Sequence, residues 1–215
     1  IDHNSSKQNL EKINSIFKSF DINYDLIKLD VSKFENEIEN FNERGEKVST
    51  NQMSNMANIN KSLLEAKKSE DLIYFVEDDY LHQKHAISEM VFTYERLASQ
   101  INKDLILCPT DYPYLYAKAD ITQNFLGHNY HWRKVNETLC TFLTSKNIIE
   151  KYWDQYISMC KKEHAPFEKP LHRIYEKELC ISPIPSLAIH FTNINSIFGL
   201  SPNVDWEKIW EENNQ

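Results

Sequence analysis

Asp71–Tyr80, DLIYFVEDDY, joins an apolar run to a cluster of acids in the chain's first half. Leu72, Ile73, Tyr74, Phe75 and Val76 form a short continuous apolar run rich in β-branched and aromatic residues. Such a run reads as a strand buried on both faces, the kind found inside a parallel sheet. It stops at three acids, Glu77, Asp78 and Asp79. Carboxylates at the carboxyl end of a buried parallel strand sit where open α/β sheets bind ligands. Adjacent anions repel one another and are best tolerated around a cation, and hard oxygen donors favour Mg²⁺ or Mn²⁺. A solvated acidic turn closing a strand is the plainer reading of the same residues, so the surrounding chain has to decide.

Around this stretch the chain alternates between the two periodicities. Upstream, Asn4, Ser5 and Ser6 are capping residues ahead of Leu10, Ile13, Ile16, Phe17 and Phe20, which repeat at helical spacing. Tyr24–Val31 alternates as a strand, Ser32–Ser54 is polar with a hint of a short amphipathic helix, and Met56–Lys68 reads as a helix leading into the acidic strand. Downstream come a helix over about 84–99, a buried strand at Asp104–Cys108, and a loop dense in Tyr112, Tyr114 and Tyr116. Extended structure with a turn follows over 130–144, then helices over 145–160 and 168–177. Ile181–Phe191, with two prolines, reads as an edge or irregular strand. Trp206 and Trp210 at helical spacing dock a short terminal helix. The alternation predicts one α/β domain over 1–215.

Composition excludes several function classes. With 215 residues and 41% apolar content the chain can bury a sizeable core. Its three glycines, Gly45, Gly127 and Gly199, permit no Gly-rich phosphate loop. A formal charge of −8 argues against nucleic acid as a partner, since a phosphate backbone calls for a basic stripe. No apolar run approaches the ~18–20 residues of a membrane span. The four cysteines are widely spaced with no CxxC, which points to buried thiols in a reducing compartment, with two disulfides as the alternative. The expected location is the cytoplasm, with a peripheral membrane association open.

Three segments taken together resemble a GT-A-fold glycosyltransferase, most nearly glycosyltransferase family 2. IDHNSS is similar to that family's V-D-D-G-S strand end. MANINKSLLEAKKSEDLIYFVEDD is similar to its N-x-G-x-x-x-A-x-x-x-x-Y-I-x-F-L-D-x-D pattern, with Asn60 and Ala66 in the Asn and Ala positions and Lys61 departing from the Gly. SLAIHF carries His190, which resembles the C-terminal metal-binding histidine of several such enzymes. The resemblance implies an α/β, GT-A-like, mostly parallel sheet flanked by helices. It implies a nucleotide-sugar and metal half over 1–110 and an acceptor half with a C-terminal helix over 111–215. Because IDHNSS corresponds to the end of the family's second strand, it also implies either a fragment lacking the first strand or a rearranged sheet.

The implied activity is a hexosyltransferase-like transfer from a nucleotide-diphosphate sugar to a hydroxyl of a glycan or other acceptor, metal-assisted and inverting. The resemblance makes Asp79, Glu77 and His190 the ligands of Mn²⁺ or Mg²⁺, Glu77 replacing the first Asp of the family's Asp-x-Asp motif. Asp2, Asn60, Glu77 and Asp78 are the expected donor contacts. An inverting transfer needs a base for the acceptor proton. Glu168 stands where the family carries a Glu-Asp pair, with Lys169 replacing the Asp, and ranks ahead of Asp111, which sits among tyrosines suited to a sugar. From the residues alone, Arg133 after Trp132 reads either as a contact for a phosphate or acceptor carboxylate or as a solvated Arg beside a packed Trp. The competing expectations are a non-catalytic or truncated GT-A-like module and a metal-dependent nucleotidyl or phosphoryl transferase.

Overall fold

The computed structural model describes residues 1–117, 121–191 and 204–214. The chain forms two compact units, one of residues 1–65 with 157–167, the other of residues 66–156 with 168–215.

In the first unit, helix α1 (Lys7–Ser19) begins where Ser6 Oγ accepts the Asn9 N–H at 3.2 Å. Helix α2 (Thr50–Ala66) is opened in the same way by Ser49, whose hydroxyl accepts the Gln52 N–H. Met56 and Ala57 on α2 pack with Leu29, Ile38 and Val48 in a small core. The strand expected at Tyr24–Val31 reduces to a single parallel bridge between Asp2 and Lys28, and Val31–Lys33 is a 3-10 turn. Asp25, Lys28 and Asp30 leave that segment too little apolar surface to seat in a sheet. Nor does the polar 32–49 stretch form its expected helix. Instead Asn42 Oδ1 accepts the N–H groups of Arg44 and Glu46, folding a turn in which Gly45 takes φ +79°.

The second unit is built on a six-stranded sheet ordered β1 (Leu72–Phe75), β6 (Phe142–Ser145), β3 (Ile106–Leu107), β7 (Cys180–Ile184), β5 (His131–Lys134), β4 (Asn124–Leu126). Only β3 and β7 run parallel; the other four pairings are antiparallel. This corrects the expected GT-A-like, mostly parallel sheet. An apolar run reports that a strand is covered, while strand direction is set by the connections, and β6 enters between β1 and β3 in the opposite sense. β1 closes one end of the sheet order, and its four residues are half-buried rather than enclosed on both faces. The stretch expected as an edge or irregular strand is interrupted, giving β7 inside the sheet, with Pro183 opposite Trp132, and a separate strand at Ala188–His190.

Helix α3 (Ala86–Ile101) packs Ala86, Met90, Tyr94 and Leu97 against Leu107, Trp132, Leu143 and Ile181 of the sheet. A separate antiparallel ribbon joins β2 (Tyr80–His82) to β8 (Ala188–His190). Helices α4 (Lys146–Lys151), α5 (Trp153–Lys161) and α6 (Lys169–Tyr175) follow β6 in the chain. The terminal helix α7 (Trp206–Asn213) docks as its tryptophans suggest, with Trp206 and Trp210 against the Phe191 ring at 5.6 and 5.5 Å. The four cysteines are buried and form no disulfide. Among the described residues no helix is long and apolar enough to cross a membrane.

Candidate active site

The three acids occupy the turn between β1 and β2, where the chain leaves the large sheet for the ribbon. The Glu77 N–H donates to Thr141 Oγ1 at 3.0 Å, fixing the start of the turn to the segment that enters β6. At its other end Asp79 O accepts the Phe191 N–H at 2.6 Å, just past β8. Antiparallel register sets His190 opposite Tyr80, and the two rings stack at 4.9 Å. The result is a direct contact between His190 Nε2 and Asp79 Oδ2 at 2.9 Å.

The electrostatics of this corner follow from its burial and its sign. Burial, reinforced by the Asp79 charge, pushes the Glu77 carboxyl up to about 7, against a smaller opposing pull from His190. Burial alone would lower His190. Its hydrogen bond to Asp79 and the charges of Asp79, Glu77 and Glu168 outweigh that effect and hold the imidazole above its ordinary value. Glu168, the residue capping the start of α6, is raised by burial, with His172 and His190 acting in the opposite direction. Glu77, Glu168 and His190 therefore lie within electrostatic reach of one another. Asp78, between the two inward acids, is exposed.

The donor set fits a hard divalent cation in part. Neighbouring donors on an octahedral shell with bonds of about 2.1 Å stand ~3 Å apart, the separation of Asp79 Oδ2 from His190 Nε2. Among the described residues no group of three or more His, Cys, Asp or Glu side chains gathers closely enough to hold a metal by itself. A cation here would take one oxygen and one nitrogen from the protein and fill its shell with substrate oxygens and water, the manner in which Mg²⁺ is commonly bound.

Asp111 is built into a different constellation. Arg133 donates through Nε and Nη2 to Asp111 Oδ1 at 3.0 and 2.7 Å, and the Tyr116 hydroxyl donates to Oδ2 at 2.6 Å. Arg133 thus meets a carboxylate of its own chain. The adjacent Tyr112 hydroxyl lies 2.6 Å from that of Tyr80, tying this segment to the ribbon. Asp2 and Asn60 belong to the first unit. There the Asp2 backbone forms the bridge to Lys28, and the buried Asn60 amide donates to Glu37 Oε2 at 3.4 Å.

Thr141 and Tyr80 are not apparent as site residues from the sequence. A threonine in an apolar run carries no marker of its partner. The position of Tyr80, one residue beyond Asp79, was the available signal. No known protein-family profile matches this chain, and no curated protein sequence matches it, so the reading of the site rests on its residues and their geometry.

Proposed function

We propose that this protein is a glycosyltransferase that moves a sugar from a nucleotide-diphosphate donor to an acceptor hydroxyl, with inversion at the anomeric carbon and with help from Mn²⁺ or Mg²⁺. The observation that carries this reading is the convergence on one corner of Asp79 and His190, in contact at 2.9 Å, with Glu77 and Glu168 in electrostatic reach. The corner offers two donors to a cation, beside a half-buried carboxyl suited to proton transfer. Asp79 and His190 would hold the ion, which when bound supplies Lewis-acid stabilisation of charge on the departing diphosphate.

The protein's own residues do the rest. Glu168 accepts the acceptor's hydroxyl proton as the oxygen forms its bond to the anomeric carbon and the bond from that carbon to the diphosphate oxygen breaks. Burial raises the proton affinity of Glu168, which brings it closer to that of the group it must deprotonate. Tyr80 keeps the His190 ring in its plane by stacking, and Thr141 holds the backbone of the acidic turn.

Calorimetric titration with Mn²⁺ and then with UDP- and GDP-linked sugars tests the reading. Nucleotide binding that requires the cation and disappears in Asp79→Ala is the expected result. Absence of cation-dependent binding for every donor would overturn it.

A further inference from the structure

The second unit also holds a cleft of about 420 Å³ whose lining includes none of Glu77, Asp79, Glu168 and His190. Tyr114, Tyr116, Asn124, Arg133 and Asn136 are among its walls. Tyr116 is fixed in three ways. Its hydroxyl is bound to Asp111, one face of its ring lies on the Arg133 guanidinium at 4.1 Å, and Arg133 is itself anchored to Asp111. The residue nevertheless remains 51% exposed. It is an aromatic platform whose rotamer is settled before any ligand arrives, so binding on it costs little ordering entropy.

Among the described residues the charges of the lining balance: Arg133 is met by Asp111, and the others are one cation, Lys134, and one anion, Glu137. A phosphate or carboxylate ligand finds no surplus of positive charge, and a polycation no surplus of negative. Asn124 and Asn136 present amides, each able both to donate and to accept. A rigid ring face bordered by such amides matches one chemistry: a pyranose, whose C–H face stacks on an aromatic ring while its rim hydroxyls require paired donors and acceptors.

We infer that this cleft binds a neutral saccharide, stacked on the outer face of Tyr116. Its service as the acceptor site rests on the transferase reading; saccharide binding itself does not. The test is a titration of the full chain with neutral trisaccharides of glucose, galactose, mannose and N-acetylglucosamine, followed by NMR and calorimetry without donor or metal. At least one is expected to bind, with Tyr116→Ala weakening it about tenfold or more and Tyr116→Phe, which keeps the ring, staying within about twofold of the parent. No binding at millimolar concentration, or equal binding by Tyr116→Ala, overturns the proposal, as does displacement of the saccharide by uridine or guanosine alone. Cation-dependent nucleotide binding measured in parallel separates the two claims: its loss with saccharide binding retained sinks the transferase reading, and the reverse sinks this one.

Discussion

His190 Nε2 and Asp79 Oδ2 stand 2.9 Å apart although 111 positions separate them in the chain. Pairing of β2 with β8 makes that contact, and the proposed cation site depends on both partners. Asp79→Asn and His190→Ala are each expected to weaken Mn²⁺-dependent nucleotide binding by about 100-fold or more, beyond the ~10–100-fold that loss of an outer-shell partner costs. Calorimetry of the two variants beside the parent measures this, and parent-like affinity in either removes that residue from the site.

Glu168 is assigned the proton. Replacing it by Gln keeps the shape and removes the base, so turnover is expected to fall by about 10²–10⁴ with donor affinity unchanged. Donor binding and single-turnover transfer, measured on the same preparation, separate the two effects. A large loss of donor affinity with turnover intact would give Glu168 a binding role instead.

Glu89 illustrates a carboxylate used for construction. Buried on α3, it accepts the Asn129 N–H on both oxygens at 3.0 Å, the Tyr130 N–H at 3.2 Å and the Thr93 hydroxyl at 3.0 Å. It thereby holds the turn between β4 and β5. Burial would raise its carboxyl, but these donors prevail and hold it below its ordinary value. A depressed carboxyl contributes stability that is complete above the unfolded value, ~4.3, and is lost as pH falls through the folded one. Urea denaturation should therefore show the parent losing stability below about pH 4.5 more steeply than Glu89→Gln. At neutral pH that variant is expected to be about 2–3 kcal/mol less stable, because it presents an amide to N–H donors.

Gly127 in the same turn has no room for a side chain. A Cβ there would collide with the Trp132 indole and lie 2.6 Å from Thr93 Oγ1. Gly127→Ala is expected to cost about 3 kcal/mol or more, read as a lower urea midpoint with an unchanged slope. A cost under 1 kcal/mol would mean that the turn and Trp132 shift easily.

Asp111 and Arg133 form a buried pair, and removing one partner leaves the other charge stranded. Asp111→Asn is expected to destabilise the protein by about 3–5 kcal/mol. The double variant Asp111→Leu with Arg133→Met should lose less than the two single changes together. Additive losses in that cycle would show that the pair is not coupled.

How much of this was legible in the sequence differs by level. Helical periodicity located α1 and α3 to within a few residues, because an amphipathic stripe of Met90, Tyr94 and Leu97 is a local pattern. The apolar run before Glu77 correctly marked a strand, but nothing local in LIYF encodes that its neighbour, FLTS at Phe142–Ser145, runs the other way. Strand direction belongs to the connections, and pairing across about 70 residues leaves no periodic trace. Of the candidate residues, Asp79 and His190, expected to share a metal, are in contact, while Asp111 and Arg133, for which the sequence suggests no mutual contact, form a pair. Thr141 and Glu89 carry no local signal in the sequence, since their roles lie in which backbone N–H groups they accept.

The β2–β8 ribbon has a consequence for synthesis. At about 5–20 residues per second, a ribosome that has placed Asp79 needs roughly 6–22 s more before His190 is made, the two being 111 positions apart. Throughout that interval the acidic turn of a nascent chain lacks its imidazole and half of its ribbon. Assembly of this corner is a late event in the life of each molecule, and a ribosome that stalls between the two residues releases a chain with the carboxylates but not the histidine.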